Sequence, residues 1–423
     1  MSSERYDLIV IGGGPAGAAV STLLARGGRR VLVLEKEQFP RFHIGESLLP
    51  CAMPLFEQLG VLPELEQRFL PKHAAEFVTA DGSITRRYTF AHGRVQGPRS
   101  AFEVDRAEFD ALLLENARRN GAEVRQGVKV HDFSLSDAGA SVSAKAEDGS
   151  VQTFETELLV DASGQQSLLA GRLGLRKMDP QLRNFSVFSH FEGASRGVGD
   201  CEGDISIVLV PGGWWWVIPL RGDRTSVGLV APSRTLHGRK PDEAYLLESI
   251  ENTPYLRERL RGARRVTEVR AVSDWSYSSE RLAGDRWLLV GDAAAFIDPV
   301  FSTGVYLGLA SAFRAAGPLE HALRTRTFRR SEFVAYERTT LRAVAGYRDF
   351  VRGFYHPAFV EVLLHPSDWM GLRGAITSLL AGFGMERFEV SWRVALFQLL
   401  ARVNRHVELV PRLPERRAAL LPG

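Results

Sequence analysis

The chain is 423 residues long, 45% hydrophobic and 24% charged, values ordinary for a globular protein of two or three domains or one composite one. Its net charge of +3 comes without a Lys/Arg-rich block, which argues against nucleic-acid binding, and no run of 18 apolar residues is present to span a membrane. The two cysteines, Cys51 and Cys201, form no C-x-x-C and no zinc-ligand spacing, and they fit a reducing cytoplasm. Only six of the 53 basic residues are lysines (Lys36, Lys72, Lys129, Lys145, Lys177 and Lys240), so each lysine draws attention.

Leu8–Ile11 is a continuous apolar run, the mark of a buried parallel strand. Gly12, Gly13, Gly14 and Pro15 interrupt the apolar stretch Leu8–Val20, which therefore reads as strand and turn instead of a signal-peptide core. Ala16–Gly27 predicts a helix that opens on small residues, and Arg30–Leu34 predicts a second strand ending at Glu35, 18 positions after Gly17. The result is a βαβ unit with a dinucleotide fingerprint. Gly12, Gly14, Ala16 and Gly17 let the backbone approach a pyrophosphate at the helix N-terminus, and Glu35 is placed to accept hydrogen bonds from a ribose. No second unit of this kind is visible mid-chain, which favours FAD over NAD as the dinucleotide.

Farther on, Val104–Arg118 has a helical period with Phe109, Leu112 and Leu113 on its apolar face. Val124–Val130 predicts a strand, and Ala140–Ala146 with Thr153–Val160 a hairpin ending at Asp161. Phe185–Phe191, Ser206–Val210, Trp214–Leu220 and Ser226–Val230 make a second β-rich region. Asp242–Leu260 reads as helical with a break near Pro254, and Trp287–Val290 as an apolar strand leading into Gly291-Asp292. Ser302–His365 and Gly371–Val410 are mainly helical. Within Trp214-Trp215-Trp216-Val217-Ile218-Pro219, strand alternation puts Trp214 and Trp216 on one side and Trp215 on the other.

Asp161-Ala162-Ser163-Gly164 and Gly291-Asp292-Ala293-Ala294, taken with the N-terminal glycines, resemble the three flavin fingerprints of the p-hydroxybenzoate hydroxylase-like FAD superfamily. The resemblance implies an α/β fold class: a glutathione-reductase-type, Rossmann-like FAD-binding domain interleaved with a β-rich substrate domain, plus a helical C-terminal region. We expect the FAD domain to comprise 1–45, 100–170 and 275–345, the substrate domain 46–99 and 171–274, and the helical region 346–423. Asp292 is then expected on the ribityl chain. Arg106, in Arg106-Ala107-Glu108-Phe109-Asp110, matches the family's Arg-x-x-Phe-Asp helix and is expected to approach the FAD, with Val130 among the cofactor contacts.

Four further motifs resemble the flavin-dependent halogenase branch. Ile44-Gly45-Glu46-Ser47-Leu48-Leu49-Pro50 is similar to its segment beside the flavin ring, which puts Gly45 and Ser47 there. Lys72-His73-Ala74-Ala75-Glu76-Phe77 is similar to the segment carrying its essential lysine, with Lys72 in that place. Asp298-Pro299-Val300-Phe301-Ser302-Thr303-Gly304-Val305 resembles its halide and flavin loop. That loop implies Pro299, Gly304 and Val305 as flavin contacts and the backbone N–H groups of Thr303 and Gly304 as halide ligands. Gly304 is expected to allow close approach and an unusual φ. The tryptophan strand is the fourth motif. The reaction implied joins reduced flavin, O2 and chloride or bromide to give hypohalous acid, which travels to Lys72 and halogenates an aromatic ring. Trp214, Trp216 and Phe301 are expected at the divide between flavin and substrate.

Two departures narrow the reading. Tryptophan-type halogenases carry an acidic residue before Ser-Thr-Gly, where this chain has Phe301. The substrate is then expected to be an electron-rich phenol or pyrrole, free or tethered to an acyl or peptidyl carrier protein. The segment Ser163–Ala170 lacks the Asp and Arg of NADPH-using hydroxylases, which points to a separate flavin reductase as partner. The rivals are a flavin monooxygenase or prenyl reductase of the same superfamily and a non-catalytic FAD-binding partner protein. His43 and His73 read as ordinary polar residues, no metal site is expected, and Phe350–Met370 reads as a cavity lining or as core helix packing.

Overall fold

The computed structural model describes residues 5–383 and 387–413. Its first sheet is built on the predicted βαβ unit. Arg5–Ile11 pairs in parallel with Val31–Leu34 on one side and with Val151–Asp161 on the other. Glu123–Arg125 and Trp287–Leu289 extend the parallel ladder in the two directions. Central strands covered on both faces must be apolar throughout, and Leu8, Ile9, Val10, Leu32 and Val33 are fully buried. The helix Pro15–Arg26 turns its small residues Gly17, Ala18 and Ala19 inward, which brings it close against the sheet.

Where a single strand Val124–Val130 is expected, the chain makes two. Glu123–Arg125 stays in the parallel sheet, and Val128–Leu135 leaves it to join Ala140–Ala146 in an antiparallel extension. The break falls at Gln126-Gly127, where Gly127 has φ +71°, a conformation that ends strand geometry.

The second sheet is antiparallel apart from one step. It runs from Arg264–Arg265 through Asn184–Glu192, Arg224–Pro232, Gly213–Pro219 and Ile205–Val210 to Ala74–Thr79 and Thr85–Thr89. The exception is the parallel pairing of Ile205–Val210 with Ala74–Thr79. The predicted helical break is present, as Glu243–Glu251 followed by Pro254–Arg259. One face of this sheet holds Trp215 with Phe185, Val187 and Val227 in a core shared with Leu246, Ile250 and Leu256 of those helices. The other face holds Phe77, Tyr88, Trp214 and Trp216 in a core shared with the C-terminal helices Val334–Phe354, Pro357–Leu364, Leu372–Leu380 and Phe388–Val403. Among the described residues no helix is long and apolar enough to cross a membrane.

Candidate active site

A cavity of about 690 Å³ lies between the two sheets. Gly12, Gly14, Ala16, Glu35, Gly45, Ser47, Arg106, Val130, Asp292, Pro299, Gly304 and Val305 all line it, as do Trp214 and Trp216 from the opposite side. Gly17, Lys72, Phe301 and Thr303 stand behind this wall.

At the dinucleotide end, Gly12 has φ +100°, and a Cβ there would sit 2.4 Å from the carbonyl oxygen of Ala162. A Cβ on Gly17 would lie 2.0 Å from the carbonyl oxygen of Gly12. These two glycines therefore let the turn, the helix and the strand end at Asp161 come together. Gly17 acts through this packing and not by facing the cavity. The Glu35 carboxylate is fixed by the backbone N–H groups of Gly13 (2.7 Å) and Glu37 (2.9 Å). Asp161 accepts from the N–H groups of Ser163 and Leu169, so its carboxylate ties the loop together while Ala162 and Ser163 face the cavity.

Asp292 opens onto the cavity from a site that the chain screens from bulk water. That burial pushes its carboxyl up to about 7, against the attraction of Arg106. A carboxylate aimed into a large cavity suits the hydroxyls of a polyol chain, so the residues present fit FAD. Arg106 is more constrained than expected. Its guanidinium forms a two-pronged contact with Asp110 (2.8 and 3.0 Å) and donates to the carbonyls of Ile44 (2.8 Å) and Gly45 (3.2 Å). It thus clamps the Gly45–Ser47 loop against the cavity. Burial alone would raise the Asp110 carboxyl, but Arg106 and Arg41 outweigh it and hold the group below its ordinary value. Burial and Arg106 together lower the His43 imidazole to about 4, which leaves it neutral at ordinary pH.

On the opposite wall Trp214 and Trp216 lie with ring centroids 6.2 Å apart, and Trp216 pairs across strands with Gly228, whose bare backbone makes room for its ring. Trp216 Nε1 donates to Ser226 Oγ (3.0 Å) and Trp214 Nε1 to the Tyr355 hydroxyl (3.1 Å). The Tyr355 hydroxyl donates in turn to Asp298 Oδ2 (2.7 Å), which also accepts from Asn184 Nδ2 (2.8 Å). Tyr355 thus joins the tryptophan wall to the loop that carries Thr303.

That loop ends at the helix Gly304–Thr325, whose first N–H groups have no intrahelical acceptor and carry its positive dipole end. Thr303 is the N-cap, and its buried Oγ1 has no hydrogen-bond partner among the described residues. The arrangement suits a small anion. The unusual φ expected at Gly304 falls instead on Ser302, at +55°, because the short turn Pro299–Phe301 ends there, two residues before the helix starts. Phe301 points away from the cavity into an aromatic cluster, 4.9 Å from Phe350 and 5.5 Å from Phe354.

Lys72 ends the short strand Leu70–Lys72, which pairs with Ala101–Glu103. Its Nζ is enclosed and donates to Ser47 Oγ (2.7 Å) and the Leu48 carbonyl (3.0 Å). Ser47 therefore touches both the cavity and Lys72. Sequence reasoning missed Glu103, Asn184 and the bridging role of Tyr355. The Ser47–Lys72–Glu103 grouping depends on a strand pairing that no local pattern announces.

A family model described as "FAD binding domain" matches residues 5–346. The 1H-pyrrole-2-carbonyl-[peptidyl-carrier protein] chlorinase of Pseudomonas fluorescens is 34% identical over 381 residues, covering 84% of this chain and 84% of that protein. The chain belongs to the flavin-dependent halogenases. The 1H-pyrrole-2-carbonyl-[peptidyl-carrier protein] brominase of Pseudoalteromonas luteoviolacea is 32% identical over 387 residues, covering 90% of this chain and 92% of that one. The solved structure of the flavin-dependent brominase Bmp2 superposes with a TM-score of 0.83 at 26% identity, over 96% of this chain and 100% of the other. This halogenase is accordingly an FAD enzyme, and the expected α/β FAD-binding fold with a helical C-terminal part is the one observed.

Proposed function

We propose that this halogenase chlorinates or brominates a pyrrole ring held as a thioester on a carrier protein, in the cytoplasm, with reduced FAD delivered by a separate reductase. Bound FAD supplies the reducing equivalents that let O2 convert a halide into hypohalous acid. The glycine turn, Glu35 and Asp292 would hold it, and Arg106 would keep the Gly45–Ser47 loop in place beside it. Thr303 and Gly304 would offer their N–H groups to the halide at a helix N-terminus. Trp214 and Trp216 would keep the organic substrate away from the flavin, so that oxygen is not transferred to it directly. Lys72 would receive the hypohalous acid and direct it at the ring.

The observation that carries this reading is that the cavity wall formed by the flavin motifs backs directly onto the lysine. A cavity lined by the dinucleotide turn and the tryptophan pair stops at Ser47, and Lys72 lies behind that residue at 2.7 Å. The choice of a tethered pyrrole over a free phenol draws on the two relatives named for pyrrolyl carrier-protein substrates, while Phe301, standing where tryptophan-type halogenases carry an acid, favours an electron-rich ring of either kind. The test is mass spectrometry after incubation with FAD, a flavin reductase, NADH, O2 and bromide. The substrates are pyrrolyl-carrier thioester, free pyrrole-2-carboxylate and a simple phenol. We expect bromine on the tethered pyrrole, and none when Lys72→Ala replaces the parent at equal FAD content. A product that gains oxygen without halogen overturns the reading, and bromination of the phenol alone overturns the substrate assignment.

A further inference from the structure

Accepting Lys72 as the residue that handles hypohalous acid, the structure raises the question of what governs its proton. Lys72 and Glu103 are 1% and 0% exposed, so neither charge has water to face. Lys72 Nζ donates to Ser47 Oγ at 2.7 Å, and Ser47 Oγ donates to Glu103 Oε1 at 3.1 Å. Glu103 Oε1 itself lies 4.0 Å from Nζ. The Phe90 ring covers the ammonium from the side, 5.4 Å away. Glu103 Oε2 is buried without a hydrogen-bond partner among the described residues, so Oε1, through Ser47 and Lys72, carries this carboxylate's polar contacts.

Backbone pairing enforces the grouping. Lys72 pairs with Ala101 and Leu70 with Glu103 in one antiparallel ladder, and Ser47 forms a single bridge to Glu103 from a third segment. Other charges nearby are already engaged. Asp204 accepts from Ala74 N (2.8 Å) and pairs with Arg87, and Glu46 pairs with His190 Nε2 at 2.7 Å. Asp204 adds to the field at both Lys72 and Glu103, and Glu46 to that at Glu103, but neither is hydrogen-bonded to the lysine.

We propose that Glu103, acting through Ser47, is the positioning residue that sets whether Lys72 carries its proton. In the run Nζ–H···Oγ–H···Oε1, a proton leaving Nζ is taken by Oγ while the hydroxyl's own hydrogen passes to Oε1. The products are a neutral amine, an unchanged hydroxyl and a neutral carboxylic acid, and the reverse shift restores the ion pair. No charge has to leave the enclosed site in either direction. Burial pushes Lys72 down and Glu103 up, and their mutual attraction pulls each partway back, so the two protonation patterns lie closer together than in water.

The test is a pH titration of the whole chain labelled with [13Cε]lysine. Six resonances are expected, five of them from exposed lysines, and Lys72→Arg assigns the sixth. In the parent, Lys72 should titrate below the other five. In Glu103→Gln its midpoint should fall by at least about one further unit, a tenfold loss of proton affinity, and Glu103→Asp should recover part of that fall. A Glu103→Gln midpoint matching the parent's overturns the proposal. Should Glu103→Gln not fold, Ser47→Ala decides in its place: it breaks the link between Lys72 and Glu103, its Lys72 midpoint should fall below the parent's, and a midpoint matching the parent's overturns the proposal. This readout needs no turnover. A chain that halogenates nothing but shows the Lys72 shift would sink the proposed function and leave the role of Glu103 standing, and the converse would do the opposite.

Discussion

Asp298 offers a test of how the tryptophan wall is anchored. It is wholly buried, with Oδ2 accepting from Tyr355 (2.7 Å) and Asn184 (2.8 Å) and Oδ1 from the Val300 N–H (3.3 Å). Burial pushes its carboxyl from 3.8 up to about 6, although all three donors favour the charged form. A raised carboxyl holds its proton more tightly in the folded chain than in the unfolded one. Its contribution to stability is therefore fully present below pH 3.8 and is lost as pH rises through the folded value near 6. The shift corresponds to about 3 kcal/mol in total, of which about 2 kcal/mol is lost between pH 4 and pH 7. Asp298→Asn keeps an acceptor for Tyr355 and Asn184 and does not titrate. The long Val300 contact that it loses costs about 1 kcal/mol at every pH. In urea unfolding followed by tryptophan fluorescence at fixed FAD, the variant should gain about 2 kcal/mol on the parent between pH 4 and pH 7. Other carboxyls raised by their surroundings, Asp292 among them, are present in both proteins and cancel in the difference. Parallel stability curves would refute the reasoning, because Asp298 would then be as well solvated in the fold as outside it.

Gly17→Ala places a methyl carbon against the Gly12 carbonyl, and overpacking of this kind costs about 1–3 kcal/mol. FAD affinity, read by quenching of flavin fluorescence, should weaken roughly tenfold to a hundredfold. An unchanged affinity would mean that the turn relaxes freely. Phe301→Ala removes a ring packed between Phe350 and Phe354 and should lower stability by about 3–5 kcal/mol, seen as an earlier denaturant midpoint. A loss under about 1 kcal/mol would show that the aromatic cluster closes over the gap.

The parts of this fold that local chemistry dictates are legible in the sequence. Leu8–Ile11 had to be a strand covered on both faces, Gly12–Gly17 a tight turn, and Trp214 and Trp216 partners on one face, because each follows from backbone period or glycine sterics. What depends on segments far apart is not legible. Phe301 reads as a wall residue until the helix Val334–Phe354 supplies Phe350 and Phe354 to receive it. Glu103 sits three residues before Arg106 and looks like part of the same motif, yet its carboxylate belongs with Lys72, because Ala101–Glu103 pairs with Leu70–Lys72. The break at Gln126-Gly127 was written in the glycine, but the alternation of Val124, Val128 and Val130 with polar residues on both sides of it reads as one strand and masked the change of partner.

The single parallel step in the second sheet has an engineering consequence. Ile207 sits between Trp216 and Phe77 in the same ladder, so the tryptophan pair and the segment leading from Lys72 share one rigid frame with a spacing of about 4.8 Å per strand. Side-chain swaps along the tryptophan strand change the surface it presents to the cavity and leave the backbone ladder to the lysine's segment in place. The helices Val334–Phe354 and Pro357–Leu364 pack behind Phe301 and Tyr355 through their side chains, so a library that varies their inward-facing residues reshapes that side of the core while leaving this ladder untouched.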